Sequence, residues 1–500
     1  MARISNDGGT RSRAFPILLL IAHEPSTTFA HKIRDAQERI PPNFSTTMRF
    51  LRTCLALTLA ATLLPAAPAA PIPAKDRTVI LITIDGFPAW LWHDPALPVP
   101  TLRKLAAEGA EAQSMQVVNP SITWICHTTL VTGVGPIKHG VLFNGLLVRE
   151  GNDQPPIIEP WHDKSDLVHV PTIYDVAHQA GLKTGQVDWV AILNSGTIDY
   201  EFLEIPKPTG VIPRELVAKG VLSENDLRNF IHGKSPAWRD MMWNQAAIQI
   251  LTQHRPNLML MHYLNTDALN HADGPGSMAS YAAYALVDYQ IRDLLAAIDA
   301  AGMKDKTTVI ITTDHGFKKV KTGIWPNVAL RKAGLIEAQG ATVKKCDAYV
   351  VPEGGLAFVY VTDPAKRAAL LPKLKEICAG LEGVDKVIDG TDAHSIDIPT
   401  PAENQGTGDL ILTAKAGYAF QAKVDGDATN GDPKGYYGTH GYLASDPELD
   451  GIFIASGYGI KPGTKLGQIH NRDVAPTIAE LLGLTLPNVE GHALKEILAP

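Results

Sequence analysis

The chain has 500 residues, 45% of them hydrophobic and 19% charged, enough to bury a large core in one elaborated domain or in a core with a cap. Its formal net charge is -7 and its isoelectric point is about 6.2. This balance excludes the basic face that a nucleic-acid polymer would require, so no such partner is expected. A small anionic substrate stays open, since metal ions could supply positive charge.

Residues 48–70 predict a signal peptide. Arg49 and Arg52 form a basic start, Cys54 to Leu64 form an apolar run, and small residues in an A-x-A arrangement follow. The run is shorter than the roughly 20 residues that span a membrane. We therefore expect a periplasmic or secreted protein with no stable membrane insertion after signal removal. Residues 1–47 are interpreted as a non-native or disordered extension. A buried helix is the alternative for the apolar run.

Three cysteines follow this segment: Cys126, Cys346 and Cys378. Cys346 and Cys378 could pair in an oxidising compartment, but a sequence does not show whether their geometry permits a bond. No CxxC spacing indicates a thiolate metal site.

Apolar β-rich runs alternate with helical patterns from about Lys75 onward. The buried strands predicted from these runs are Thr78–Ile84, Leu258–Leu264, Thr308–Thr313 and Ile452–Ser456. Hydrophobic residues recur at helical spacing over Tyr281–Ala300, and Asp473 predicts the start of a helix that runs to Leu482. This alternation predicts an α/β sandwich with a central, mostly parallel sheet flanked by helices.

A separate mixed pattern with a Gly/Asp/Asn-rich end interrupts this alternation over about residues 318–437. We interpret it as a small inserted cap region that packs over the functional site. The predicted catalytic domain as a whole spans residues 75–498.

Acidic residues follow three of the predicted strands. Asp85, Asp267 and Asp314 each come just after an apolar run, and ligands of open α/β sheets bind outside the carboxyl ends of strands. Three carboxylates from separate strands would repel one another, so the pattern favours a pair of divalent metal ions among them.

Histidines occur near these carboxylates at spacings that suit metal ligands. Asp267 and His271 lie four residues apart, as on one face of a helical turn, and His315 directly follows Asp314. His440 lies in a flexible Gly-Thr-His-Gly loop. Each pair alone is weak evidence, but together they strengthen the metal hypothesis.

Thr123 follows a Pro-containing turn at the start of a predicted helix. The free N–H groups and the dipole at that end of a helix favour an anion. A hydroxyl attacks well near neutral pH only when a base or metal ion activates it. From spacing alone, a helix cap remains the alternative role for Thr123.

At these residues the sequence resembles the nucleotide pyrophosphatase/phosphodiesterase family (type I phosphodiesterases) of the alkaline phosphatase superfamily. The resemblance covers nearly everything after Lys75. Its motifs, which occur in the family's order, are I-D-G at Asp85, N-P-S-I-T-W-I-C-H-T-T-L-V-T-G around Thr123, H-G-V-L-F-N ending at Asn144, D-A-L-N-H from Asp267 to His271, T-D-H-G at Asp314 and His315, and T-H-G-Y at His440.

The resemblance implies an alkaline phosphatase-like sandwich with two zinc sites. Asp267, His271 and His440 would hold one ion, whereas Asp85, Asp314 and His315 would hold the other together with Thr123. Thr123 would attack the phosphorus of a small phosphate ester, a nucleotide-type diester or pyrophosphate, to form a phosphothreonine. Asn144 would donate a hydrogen bond to a phosphoryl oxygen, and Trp189 is the candidate for stacking on the substrate, with a core role as the alternative.

Three other functions remain open at this point. A phosphomonoesterase or a phosphonate hydrolase of the same superfamily would share nearly all of these ligands. A non-catalytic binding protein could keep the fold as a scaffold, but loss of a ligand or of the nucleophile would then be expected, and none is missing here.

Overall fold

An eight-stranded sheet forms the centre of the computed structural model, which describes residues 71–499. In chain order its strands are β1 (Thr78–Ile84), β2 (Ala110–Gln116), β3 (Thr184–Val187), β4 (Tyr200–Phe202), β5 (Leu258–Tyr263), β6 (Thr307–Thr312), β7 (Phe453–Gly457) and β8 (Thr464–His470). Their order across the sheet is β8-β2-β7-β6-β1-β5-β3-β4. Every neighbouring pair is parallel except the two pairs that contain β7. The predicted signal peptide and the segment before it lie outside the described residues.

Strands β1, β5 and β6 are buried along their whole length, as expected of parallel strands covered on both faces. Successive residues of β1 point to opposite faces, so Val79 and Leu81 belong to one hydrophobic cluster and Ile80 and Ile82 to another. Helices cover each face with apolar side chains. The structure therefore confirms the predicted α/β sandwich.

The six helices that matter for the site and its support are α1 (Pro100–Glu108), α2 (Thr123–Thr132), α3 (Pro236–Gln249), α4 (Asn265–Asp273), α5 (Met278–Ala300) and α6 (Val474–Leu482). Residues of α2 and α6 join the first cluster, and residues of α1, α3 and α5 join the second. The remaining α-helices are Ala89–Trp92, Pro136–His139, Lys164–Leu167, Ile173–Gln179, Val211–Ala218, Glu224–Arg228, Pro326–Lys332 and Arg367–Ala379. Within residues 71–499, no helix is both long and apolar enough to cross a membrane.

The predicted element boundaries differ from the observed ones by only a few residues. Helix α5 begins three residues earlier than expected because the Ser277 hydroxyl caps it by accepting the Ser280 N–H. Helix α6 ends at Leu482 as predicted, with Gly483 in the left-handed region at φ 65°. The Asp473 carboxylate does not cap α6, because it accepts the N–H groups of His470 and His492 instead.

The segment interpreted as a cap contains a second, antiparallel sheet. Its four strands, in order across the sheet, are Ala348–Glu353, Leu356–Val361, Leu410–Ala414 and Val384–Asp389. The turn of the first hairpin reaches the loop that carries His440, where the Gly355 N–H donates to the His440 carbonyl at 2.9 Å. Cys346 and Cys378 are buried as free thiols in the same hydrophobic cluster. The boundaries of this insertion stay a prediction.

The remaining short strands are Leu146–Val148, Ile157–Glu159, Lys318–Lys319, Thr322–Ile324, Ile336–Gln339, Thr342–Cys346, Tyr418–Phe420, Asn430–Gly431 and Gly438–Thr439.

Candidate active site

Three neighbouring strands bring acidic residues to one edge of the central sheet. Asp85 directly follows β1, Asp314 lies two residues beyond β6, and Asp267 lies in α4, the helix after β5. Because β6, β1 and β5 are parallel neighbours, their carboxyl ends meet at the same edge. Residues from three separate sequence motifs therefore meet in one place.

Asp267, His271 and His440 form the first group of possible metal ligands. The Nε2 atoms of His271 and His440 lie 3.3 and 3.8 Å from Asp267 Oδ1. The Nδ1 atoms of the same rings contact the carbonyl oxygens of Gly438 at 2.9 Å and Ser121 at 3.0 Å. A ring that donates its Nδ1–H to a carbonyl leaves the Nε2 lone pair free to bind a cation. Both rings are thus oriented as ligands.

The second group surrounds the His315 ring, whose Nε2 lies 3.5 Å from Asp85 Oδ1 and 3.2 Å from Asp314 Oδ2. The Thr123 hydroxyl lies 3.4 Å from the same nitrogen. Asp314 is fixed through its other oxygen, which accepts the N–H groups of Gly86 at 3.1 Å and His315 at 2.9 Å. Asp267 lies close enough to Asp85 and His315 to be shared between the two groups.

Three carboxylate oxygens at this centre are buried and have no hydrogen-bond partner among the described residues: Asp85 Oδ1, Asp267 Oδ1 and Asp314 Oδ2. Burial, together with the neighbouring Asp314 and Asp267, raises the pKa of Asp85 well above its usual value. Divalent cations between these oxygens would offset both the desolvation and the repulsion. Carboxylates and imidazoles are ligands that Zn²⁺ and similar ions accept, so the residues present fit a pair of such ions.

Thr123 and Asn144 line a cavity of about 360 Å³ together with four of these possible ligands, Asp85, Asp267, His271 and His440. Thr123 is the first residue of α2 and is 9% exposed. The Trp124 N–H donates to Asn144 Oδ1 at 3.0 Å, which leaves the Asn144 amide N–H groups available to a ligand. An anion in the cavity would therefore meet the positive end of the α2 dipole and the Asn144 amide.

Trp189, the candidate for stacking on the substrate, packs against a residue of α2. It is 4% exposed and packs edge-on against the His127 ring at 4.9 Å. It lines an adjoining cavity of about 270 Å³ and is absent from the described lining of the central one. Trp161, 54% exposed, lines both cavities. Of the two indoles, the structure brings Trp161 to the central cavity.

Sequence reasoning missed three polar residues in the wall of the central cavity: Asp188, Glu204 and His262. Burial raises the pKa of Asp188 to about 7 and also raises that of Glu204. Burial alone would lower the pKa of His262, but its contacts with Asp188 and Asp85 raise it well above its usual value. Two signals pointed to them: Asp188 directly follows β3, and His262 interrupts the apolar run of β5.

Comparisons with known proteins identify a matching family model and several relatives. The family model described as type I phosphodiesterase / nucleotide pyrophosphatase matches residues 79–443. Mouse ectonucleotide pyrophosphatase/phosphodiesterase family member 7 is 24% identical over 450 residues, covering 87% of this chain and 90% of the mouse protein. Rat family member 1 is 22% identical over 438 residues, covering 85% of this chain and 43% of the rat protein.

Solved structures show the same fold at lower sequence identity. Human ectonucleotide pyrophosphatase/phosphodiesterase 5 matches with a TM-score of 0.63 at 16% identity, covering 85% of this chain and 100% of the human one. Its murine counterpart, in an inactive threonine-to-alanine form in complex with AMP, gives a TM-score of 0.62 with the same coverage. The likeness confirms the predicted alkaline phosphatase-like sandwich.

Proposed function

Because the chain belongs to the type I phosphodiesterase / nucleotide pyrophosphatase family and is thus a phosphoric ester hydrolase, we propose that it cleaves nucleotide-type phosphodiesters or pyrophosphates outside the cytoplasm, with Thr123 as the nucleophile. One observation carries the proposal: the Thr123 hydroxyl lines a cavity together with carboxylates whose buried oxygens have no hydrogen-bond partner among the described residues. A hydroxyl next to negatively charged groups that can bind a cation has the surroundings that a metal-activated nucleophile needs.

Asp267, His271 and His440 would hold one divalent ion, and Asp85, Asp314, His315 and Thr123 would hold the other. Zinc is the ion that this mixture of carboxylates and imidazoles favours. When bound, the two ions supply Lewis acidity that lowers the pKa of the Thr123 hydroxyl and stabilises charge on the leaving oxygen.

In the first step, Thr123 Oγ1 loses its proton to water and forms a bond to phosphorus while the ester bond to the leaving group breaks. The leaving oxygen takes a proton from water. In the second step, a water oxygen forms a bond to phosphorus while the bond between phosphorus and Thr123 Oγ1 breaks. The attacking water loses a proton and Thr123 Oγ1 takes one up. The Asn144 amide donates to a phosphoryl oxygen throughout, and the dipole at the start of α2 favours the added negative charge.

The cavity wall supports a diester over a monoester. Among the described residues that line it there is no Lys or Arg, whereas a monoester carries more negative charge on its non-bridging oxygens and needs more compensation. Asn144 gives a neutral hydrogen bond that suits the single charge of a diester. Trp161 lines the central cavity, where we expect it to contact the substrate, and a longer substrate could contact Trp189 in the adjoining cavity.

Three measurements on Thr123 variants test this function. Thr123→Ala should lose turnover of bis-p-nitrophenyl phosphate by orders of magnitude while keeping its metal content and its melting temperature. Thr123→Ser should keep part of the activity because a hydroxyl remains, and intact-mass analysis of the quenched wild-type reaction should show a p-nitrophenyl phosphate adduct that Thr123→Ala lacks. Wild-type turnover by Thr123→Ala would mean that the hydroxyl is only a helix cap. The inactive threonine-to-alanine form of the murine structural relative supports the expected direction.

A further inference from the structure

A buried chain of contacts, which the proposed reaction does not use, connects Asp85 of the second group of possible metal ligands to His262 and Asp188. The His262 ring, on β5, lies between two carboxylates: its Nε2 is 3.0 Å from Asp85 Oδ2 and its Nδ1 is 3.0 Å from Asp188 Oδ2. All three residues are buried. Asp188 follows β3, which is the neighbour of β5 in the sheet. Four adjacent strands, β6, β1, β5 and β3, thus contribute polar residues to the same edge.

The two oxygens of Asp85 have different surroundings. Oδ2 contacts His262, whereas Oδ1 is buried without a hydrogen-bond partner among the described residues and lies 3.5 Å from His315 Nε2. The backbone of Asp85 is fixed because its N–H donates to the Tyr263 carbonyl at 2.9 Å. With the backbone held, the contact at Oδ2 determines where Oδ1 points.

The turn that carries Asp188 has an unusual backbone. Asp188, Ala191 and Asn194 have φ angles of 55°, 50° and 51°, a region that residues with a Cβ atom seldom adopt. Such conformations persist where surrounding contacts fix them, and they concentrate at functional sites. Here the Asp188 N–H donates to the Phe202 carbonyl at 2.9 Å, and its carbonyl oxygen lies 3.2 Å from His262 Nδ1. The turn therefore presents both the carboxylate and the carbonyl of Asp188 to one ring nitrogen.

We propose that His262 and Asp188 are positioning residues that hold Asp85 with Oδ1 directed at its cation. The inference rests on the proposed metal pair. Asp188 orients the His262 ring, and His262 orients Asp85, so neither residue needs to touch the cation. Outer residues of this kind change the affinity of a metal site through the ligand that they hold.

A purely structural role is the alternative, because the His262 ring also packs against the His127 ring at 4.7 Å. The variants must therefore separate hydrogen bonding from packing. Asp188→Asn keeps the shape of the side chain and removes its charge. His262→Gln keeps an N–H group that can reach Asp85, whereas His262→Ala removes both the contact and the ring. His254→Ala is the matched control, since His254 contacts Glu215 at 2.9 Å in a histidine–carboxylate pair that lies outside the cavity wall.

The test is a zinc titration of the purified proteins against a competing chelator, which measures the affinity of each site without turnover. We expect two ions in the wild type and a 10- to 100-fold weaker affinity at one site in His262→Ala, the usual loss for such residues. Asp188→Asn should weaken the same site by about tenfold. The zinc affinity of His262→Gln should lie within about threefold of the wild-type value, and that of His254→Ala should equal the wild-type value. In a double variant, the loss of zinc affinity caused by His262→Ala should not add to the loss caused by Asp314→Ala, because both substitutions act on one site.

The outcomes separate this inference from the proposed function. A wild-type protein that binds no divalent ion would overturn the metal pair itself. Two wild-type sites with unchanged affinities in His262→Ala and Asp188→Asn would overturn only the positioning role. If His262→Gln binds zinc as weakly as His262→Ala, packing rather than hydrogen bonding holds the site, and the inference fails. Should His262→Ala not fold, the isosteric Asp188→Asn decides the matter.

Discussion

Replacing Asn144 with alanine should slow diester hydrolysis and leave the fold nearly unchanged. The side chain is exposed, and its one hydrogen bond to the described protein accepts the Trp124 N–H at 3.0 Å. Losing such a bond costs about 1 kcal/mol of unfolding free energy. Losing a hydrogen-bond donor that contacts the charge developing in the transition state raises the activation free energy by about 2.7–4 kcal/mol, which lowers kcat by a factor of about 10² to 10³. The effect on rate should therefore far exceed the effect on stability.

The assay is kcat and KM for bis-p-nitrophenyl phosphate with metal-saturated protein, alongside thermal melting. Asn144→Asp separates the two functions of the side chain, because a carboxylate still accepts the Trp124 N–H but donates nothing and repels the phosphoryl group. We expect it to lose at least as much activity as Asn144→Ala. Asn229→Ala, which removes an exposed amide whose Nδ2 donates to the Asn225 carbonyl at 2.9 Å, is the control. A kcat/KM for Asn144→Ala within threefold of the wild type would refute the role of Asn144.

Three further predictions concern the metal, the substrate and the location of the protein. Chelation should lower the melting temperature reversibly, because ions at a thousandfold excess over Kd add about 4 kcal/mol per site to the free energy of unfolding. A melting temperature that does not change when chelator is added would contradict the metal pair. The kcat/KM for bis-p-nitrophenyl phosphate should exceed that for p-nitrophenyl phosphate, and a tenfold monoester advantage, about 1.4 kcal/mol in the barrier, would favour the phosphomonoesterase alternative. Expressed in a bacterium from Met48, the protein should appear outside the cytoplasm with its N-terminus near Ala70, whereas an intact cytoplasmic product would argue against the signal peptide.

Local patterns in the sequence were sufficient to predict the central strands and their polar ends. Thr78–Ile84 consists of Val, Ile and Leu residues and two threonines because both of its faces are buried, so the strand and the position of Asp85 at its end are visible in one short segment. The spacing of Asp267 and His271 is equally local, since one turn of α4 brings them together. Backbone geometry alone determines such short-range relations.

Contacts between distant segments followed from the order of the strands, which no local pattern encodes. The bridge from Asp188 to Asp85 exists because β3, β5 and β1 are neighbours, although these strands are far apart in the chain. Likewise, no local pattern shows that Trp161 lines both cavities whereas Trp189 lines the adjoining one. The motifs of the sequence were sufficient to predict the residues of the candidate site. The packing of the sheet decided which other residues contact them, because burial and hydrogen bonding depend on neighbours that only the folded chain supplies.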